Sequence, residues 1–191
     1  NIAMTLNNLG LAYQTQNAYP RSLDALREAL QRYRQLAERN PEVFLPDVAE
    51  GLLNMAVTFQ TMGSYDPCIA SYSEAFTLYQ KLAQKNPEAY IQFLQASLAG
   101  LNAIWGALNR LDLSIPFHEK NVQTYRKLNA EAPMIYGPYL AYALLNIAVI
   151  YQDQNNFEKC QAANEEAITM YRGLASHDPT TTLPLLSATL N

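Results

Sequence analysis

Apolar residues recur along this chain at three- and four-residue spacing, broken at regular intervals by short polar stretches. Ile2, Leu6, Leu9, Ala12 and Tyr13 form the first run, a spacing that places them along one side of a helix. Gln16-Asn17 stops it. Pro20 then suits the first turn of a second helix, where its missing N–H costs nothing. Leu23, Leu26, Ala29, Leu30, Tyr33, Leu36 and Ala37 give that helix an inner face. Asn40-Pro41 ends it, because a residue before proline is pushed out of the α region.

The same plan returns three times. Leu6-Asn7-Asn8-Leu9-Gly10-Leu11-Ala12-Tyr13 reappears as Leu52 to Phe59, as Leu98 to Trp105 and as Leu144 to Tyr151, each step 46 residues. A fixed period of this size marks a stacked-repeat protein. The expected units are 1–45, 46–91, 92–137 and 138–183. Their first helices are expected to start near Pro46-Asp47, Gln92 and Pro138, and their turns to fall at Met62-Gly63, Asn109-Arg110 and Asn155-Asn156. Asp66 and Asp112 are the expected N-caps of the second helices in units two and three, with Pro67 following Asp66 at the first helical position. Pro184 lies one period after Pro138, so 184–191 reads as the opening of a fifth first helix and the whole as part of a longer array. The pattern predicts an all-α solenoid of helix pairs.

Composition narrows the function. The net charge is −4 and 16% of residues are charged. A nucleic-acid binder ordinarily shows a basic patch. The densest run here, five Arg from Arg21 to Arg39, is interleaved with Asp24, Glu28 and Glu38 and reads as a solvated helix face. No apolar run approaches the ~18 residues needed to span a bilayer, and no targeting motif is evident; the expected cytoplasmic setting is a reduced one, which the two unpaired cysteines fit. Cys68 and Cys160 lie two periods apart, where the other units carry Ser22 and Ser114. That separation is too great for a disulfide, and both read as small buried residues.

The repeated residues resemble the tetratricopeptide repeat. Leu9-Gly10, Tyr13, Tyr19, Ser22 and Ala29 carry the likeness in the first unit. Met55, Ala56, Phe59, Gly63, Tyr65, Cys68 and Ala75 carry it in the second, and Ile147, Ala148, Tyr151, Phe157, Cys160 and Ala167 in the fourth. The unit is longer than the family's usual 34 residues and is similar in length to those of kinesin light chains and bacterial signalling proteins. The resemblance implies a right-handed superhelix of antiparallel helix pairs whose first helices line a concave groove. It also implies a protein or peptide partner and no catalysis, cofactor or metal.

With residues 9, 12 and 13 and their equivalents assigned to packing between helices, another face of the first helices is left for a partner. It comprises Asn7, Asn8, Leu11 and Gln14; Leu53, Asn54, Val57 and Gln60; Ala99, Gly100, Ala103 and Gly106; and Leu145, Asn146, Val149 and Gln152. Amide side chains offer donors and acceptors to an extended peptide backbone. The alternative is that the Asn side chains bond neighbouring helices and hold the stack. In the third unit Gly100 and Gly106 leave room beside Trp105, either for a partner's bulky side chain or for closer packing, with Trp105 itself core. The family's carboxylate-gripping groove needs cations that Asn7, Leu11, Ala96 and Gly100 do not supply, which argues against a chaperone C-terminus as ligand. His118 stands alone on a helix face without a second ligand at metal spacing. Glu165 and Glu166 point in different directions, and no phosphate loop or nucleophile motif occurs. The chain reads as a protein-interaction scaffold without enzyme activity. The alternative is a regulatory arm of a larger signalling ATPase or enzyme. Self-association through open ends and absence of nucleic-acid or membrane partners complete the expectations.

Overall fold

The computed structural model describes residues 2–177, so the expected fifth helix opening at 184–191 and the stop at Asp178-Pro179 lie outside the described residues. Eight α-helices follow one another: α1 (Ile2–Thr15), α2 (Tyr19–Arg39), α3 (Pro41–Thr61), α4 (Tyr65–Lys85), α5 (Pro87–Ala107), α6 (Leu111–Glu131), α7 (Pro133–Asp153) and α8 (Phe157–His177). Odd-numbered helices are the first of each pair and even-numbered ones the second. The chain divides into two compact units, Asn1–Ile104 and Trp105–Asn191.

Two kinds of joint alternate. Within a pair the turn holds one residue in the left-handed region: Asn17 (φ 57°), Gly63 (φ 68°), Asn109 (φ 50°) and Asn155 (φ 59°). Asn and Gly are the residues that tolerate this region, and all four stand 46 residues apart, in the turns the sequence indicated. Between pairs the joint is a single residue. Asn40 and Ala132, both with φ near −143° and ψ near 79°, stand extended before Pro41 and Pro133, the conformation that the ring of a following proline favours. Asn86 repeats the geometry before Pro87 (φ −143°, ψ 84°).

The first helices α3, α5 and α7 therefore start at Pro41, Pro87 and Pro133, five residues before the expected starts. Two prolines compete for the first helical position in α3 and α7. The upstream one takes it, leaving Pro46 and Pro138 inside their helices. The expected caps also shift. Ser64 and Arg110 precede the second helices, so Asp66 and Pro67 sit in the first turn of α4, and Asp112 pairs with Arg110 at 2.8 Å.

In the first unit α3 packs between α2 and α4, and α1 against α2. Leu26, Ala29, Ala49, Ala56, Cys68 and Ala75 are fully enclosed. The Cys68 thiol donates to the Ala56 carbonyl oxygen at 3.1 Å, and burial pushes its pKa up to about 11. In the second unit α7 packs between α6 and α8, around Leu144, Ala141, His118, Ala167 and Tyr171. Cys160 there is half-buried, unlike the enclosed Cys68. By length and composition α7 could cross a membrane, contrary to the sequence expectation, but half of its apolar window is buried inside the protein. It is the middle helix of a packed trio.

One core expectation holds in three of the 46-residue repeats and fails in the first. Met55, Thr58 and Phe59 are buried, as are Leu101, Ile104 and Trp105, and Ile147, Ile150 and Tyr151. Their equivalents Leu9 and Ala12 are exposed and Tyr13 is half-buried. In α3 these positions face the preceding second helix, as the Arg27 guanidinium 5.9 Å over the Phe59 ring shows. Among the described residues α1 has no such neighbour.

Candidate partner-binding faces

In the first unit the residues of the expected face differ in exposure. Asn8, Val57, Gln60 and Ala103 are exposed, and Leu11, Gln14, Leu53 and Asn54 half-buried. Asn7 is buried instead, and accepts a hydrogen bond on Oδ1 from Asn54 Nδ2 at 3.1 Å. This pair joins α1 to α3, the stack-holding alternative, and takes Asn7 off the face. Gln60 accepts on Oε1 from the Tyr72 hydroxyl at 3.0 Å.

Gly100 is also explained by packing. A Cβ there would collide with the Tyr72 ring, so the missing side chain admits that ring and no pocket opens. Tyr72 occupies the register of Leu26 and His118. One helix later, where Gly100 follows Tyr72, Asn54 follows Leu26 and Asn146 follows His118. The large ring and the glycine come as a matched pair.

In the second unit, Asn146 donates from Nδ2 to the Tyr142 carbonyl oxygen at 2.9 Å, within α7. Val149 is 58% exposed, Gln152 is exposed, and Gly106 is exposed with nothing within 4 Å of where a Cβ would stand. Trp105 is core, as its packing alternative had it: it is 3% exposed, edge-on to Phe117 at 5.1 Å and to His118 at 6.2 Å. His118 is fully enclosed, and desolvation lowers its pKa to about 4. Among the described residues no cluster of three His, Cys, Asp or Glu could hold a metal ion.

Two features were not read from the sequence. The first is charge segregation. None of the 13 Lys and Arg lies on α1, α3, α5 or α7; all stand on second helices except Arg110, in a turn. The charged residues of the first helices are Glu42, Asp47, Glu50, Glu88 and Asp153.

The second is a cleft at matching registers in each unit, lined by α6, α7 and α8 in the second and by α2 and α3 in the first. In the second unit it measures about 390 Å³, floored by Val122, Ile147 and Tyr151 and rimmed by Glu119, Arg126, Lys159 and Glu166. Arg126 binds Glu166 through two hydrogen bonds, Nε–Oε1 at 3.2 Å and Nη2–Oε2 at 2.5 Å. Tyr151 donates its hydroxyl to Glu119 at 2.8 Å, and burial, with that hydrogen bond, pushes the phenol up to about 12. In the first unit the same registers hold Leu30, Arg34 and Met55 around a cleft of about 390 Å³, with Arg34 bonded to Glu74 at 2.6 Å. The recurrence of Arg34 at Arg126 and Glu74 at Glu166, both two periods apart, was the available signal.

Comparison with known proteins agrees with this repeat. Residues 2–42 and 140–179 each match the tetratricopeptide repeat family model. Among solved structures, BtubC (BKLC) from P. vanneervenii is similar at a TM-score of 0.53 and 21% identity, over 82% of this chain and 58% of its own. The likeness is one of fold, and this chain spans little more than half the length of BtubC. The MamA RS-1 ArsTM double mutant aligns over 100% of this chain and 93% of its own, at 16% identity and a TM-score of 0.36. No curated protein matches the sequence.

Proposed function

We propose that this chain, an array of tetratricopeptide repeats, is a protein-interaction scaffold that receives an extended peptide or a partner domain on the exposed face of its first helices. The observation that carries the reading is the equivalent pair Val57 and Val149. They are 43% and 58% exposed, while the neighbouring positions Ala56, Thr58, Ala148 and Ile150 are buried. Each is followed three residues later by an exposed glutamine, Gln60 or Gln152. An aliphatic contact beside an amide suits a peptide whose side chains need apolar cover and whose backbone needs hydrogen bonds. Asn54 and Asn146 have amide groups already engaged within the protein, so they contribute with their remaining donors and acceptors.

The test is the double change Val57→Arg with Val149→Arg. Helix content by circular dichroism is expected to stay unchanged, because both side chains are exposed. Proteins captured from a lysate by the wild type should be lost by the variant. Capture of the same proteins by both would rule the face out.

A further inference from the structure

Which peptides the first-helix face takes follows from where the charge lies, an inference that rests on the function just proposed. In the first unit α1 carries no charged residue, and α3 carries Glu42, Asp47 and Glu50 with no cation. Glu42 is held by Lys85 at 2.7 Å. Glu50 is exposed and makes no ion pair among the described residues. It lies one helical turn before Asn54 and two before Val57, so the three share a face. Asp47, half-buried and one turn earlier, has its pKa raised by burial. With Glu42 paired to Lys85, the unpaired Glu50 is left to draw positive charge and turn negative charge away over roughly a Debye length. The apolar and amide contacts of the same face supply the rest of a binding surface.

We propose that the first-helix face of the first unit takes an extended partner segment bearing Lys or Arg. Its cation meets Glu50, an aliphatic neighbour covers Val57, and its backbone bonds the amides of Asn8 and Asn54. Acidic segments are excluded by the same field. The register of Glu50 holds Met4, Ala96 and Tyr142 in the other repeats, so the selection belongs to this unit.

A phage-displayed library of random peptides panned on the protein at low ionic strength tests this. The recovered peptides should carry a severalfold excess of Lys and Arg over the input. Glu50→Lys should abolish that excess and weaken a synthesised Lys-bearing peptide about five-fold, the size of one exposed ion pair lost. Val57→Arg should prevent its binding, with helix content unchanged in both variants. Peptides that depend on Val57 but show no basic excess would overturn the charge selection and leave the scaffold reading standing. If no peptide depends on Val57, both fall. Sedimentation showing self-association that Glu50→Lys abolishes would give the face to the Arg-rich α2 of a second copy, and would overturn the assignment to a partner.

Discussion

The two compact units share many registers at two periods' distance, and they carry different charges on their surfaces. Leu52, Ala56 and the turn residue Gly63 in the first correspond to Leu144, Ala148 and Asn155 in the second. Arg34–Glu74 corresponds to Arg126–Glu166. On the first helices, Asn54, Val57 and Gln60 return as Asn146, Val149 and Gln152, but Glu50 becomes Tyr142 and Asp47 becomes Tyr139. On the second helices Arg27, which lies over Phe59, becomes Glu119. The ring at that register, Tyr151, is instead faced by Lys159 at 5.1 Å. Many positions that close the stack are shared, but Leu26 and Tyr72 become His118 and Asn164. The exposed charges are free to vary, and they give each unit its own electrostatic character.

Acid should separate the units most. His118, with a pKa of about 4 against an ordinary 6.5, is held neutral by the fold. As pH falls below 6.5 the unfolded state takes up a proton that the folded state refuses until about pH 4. Stability is therefore lost across that window, by up to roughly 3 kcal/mol at 1.36 kcal/mol per unit. The first unit has Leu26 and Tyr72 at that register. Its raised carboxyl, Asp47, acts in the opposite sense: the fold opposes its charge, so protonation as pH falls favours the native state. Amide hydrogen exchange at pH 7 and pH 5 should show α6–α8 losing protection before α1–α4, and His118→Leu should remove the difference.

A smaller effect tests the matched pair in the first unit. Gly100→Asn copies the Asn146 of the second unit but meets the Tyr72 ring. It should cost about 2 kcal/mol in urea unfolding, as overpacking does. Adding Tyr72→Leu, which recreates the Leu26–Asn54 combination, should restore most of the loss. Failure of that rescue would break the claim that ring and glycine are one device. The smallest effect concerns the shared ion pairs. Arg126–Glu166 and Arg34–Glu74 are about half exposed. Double-mutant cycles should give each a coupling under about 1 kcal/mol, falling with salt, and the two-bond Arg126 pair should be the stronger.

The helical array and its turns were legible because they depend on local chemistry that recurs. Asn or Gly marks each left-handed turn, and the three- and four-residue spacing marks each helix. The starts of α3 and α7 were misplaced because each segment carries two prolines, and periodicity does not rank them. The candidate face was legible as a set of registers, but the state of its side chains was not. That Asn7 would turn inward to Asn54 depends on how α1 meets α3. That Gly100 would be filled depends on a ring 28 residues away in sequence, Tyr72. Both are tertiary facts, invisible to a pattern read within one helix. The exposure of Leu9 was missed for a related reason, since the repeat gives the same residue class to positions whose neighbours differ.

The single-residue joints bear on how separate copies of the chain stay apart. Were Asn40 to turn helical, α2 and α3 would fuse into one rod of roughly 65 Å, and its far half could dock into another molecule in place of that molecule's own helix. Pro41 disfavours this by biasing the residue before it away from the helical region. Pro87 and Pro133 do the same at the other two joints. Each joint is thus a point at which fusion of neighbouring helices into one rod is disfavoured.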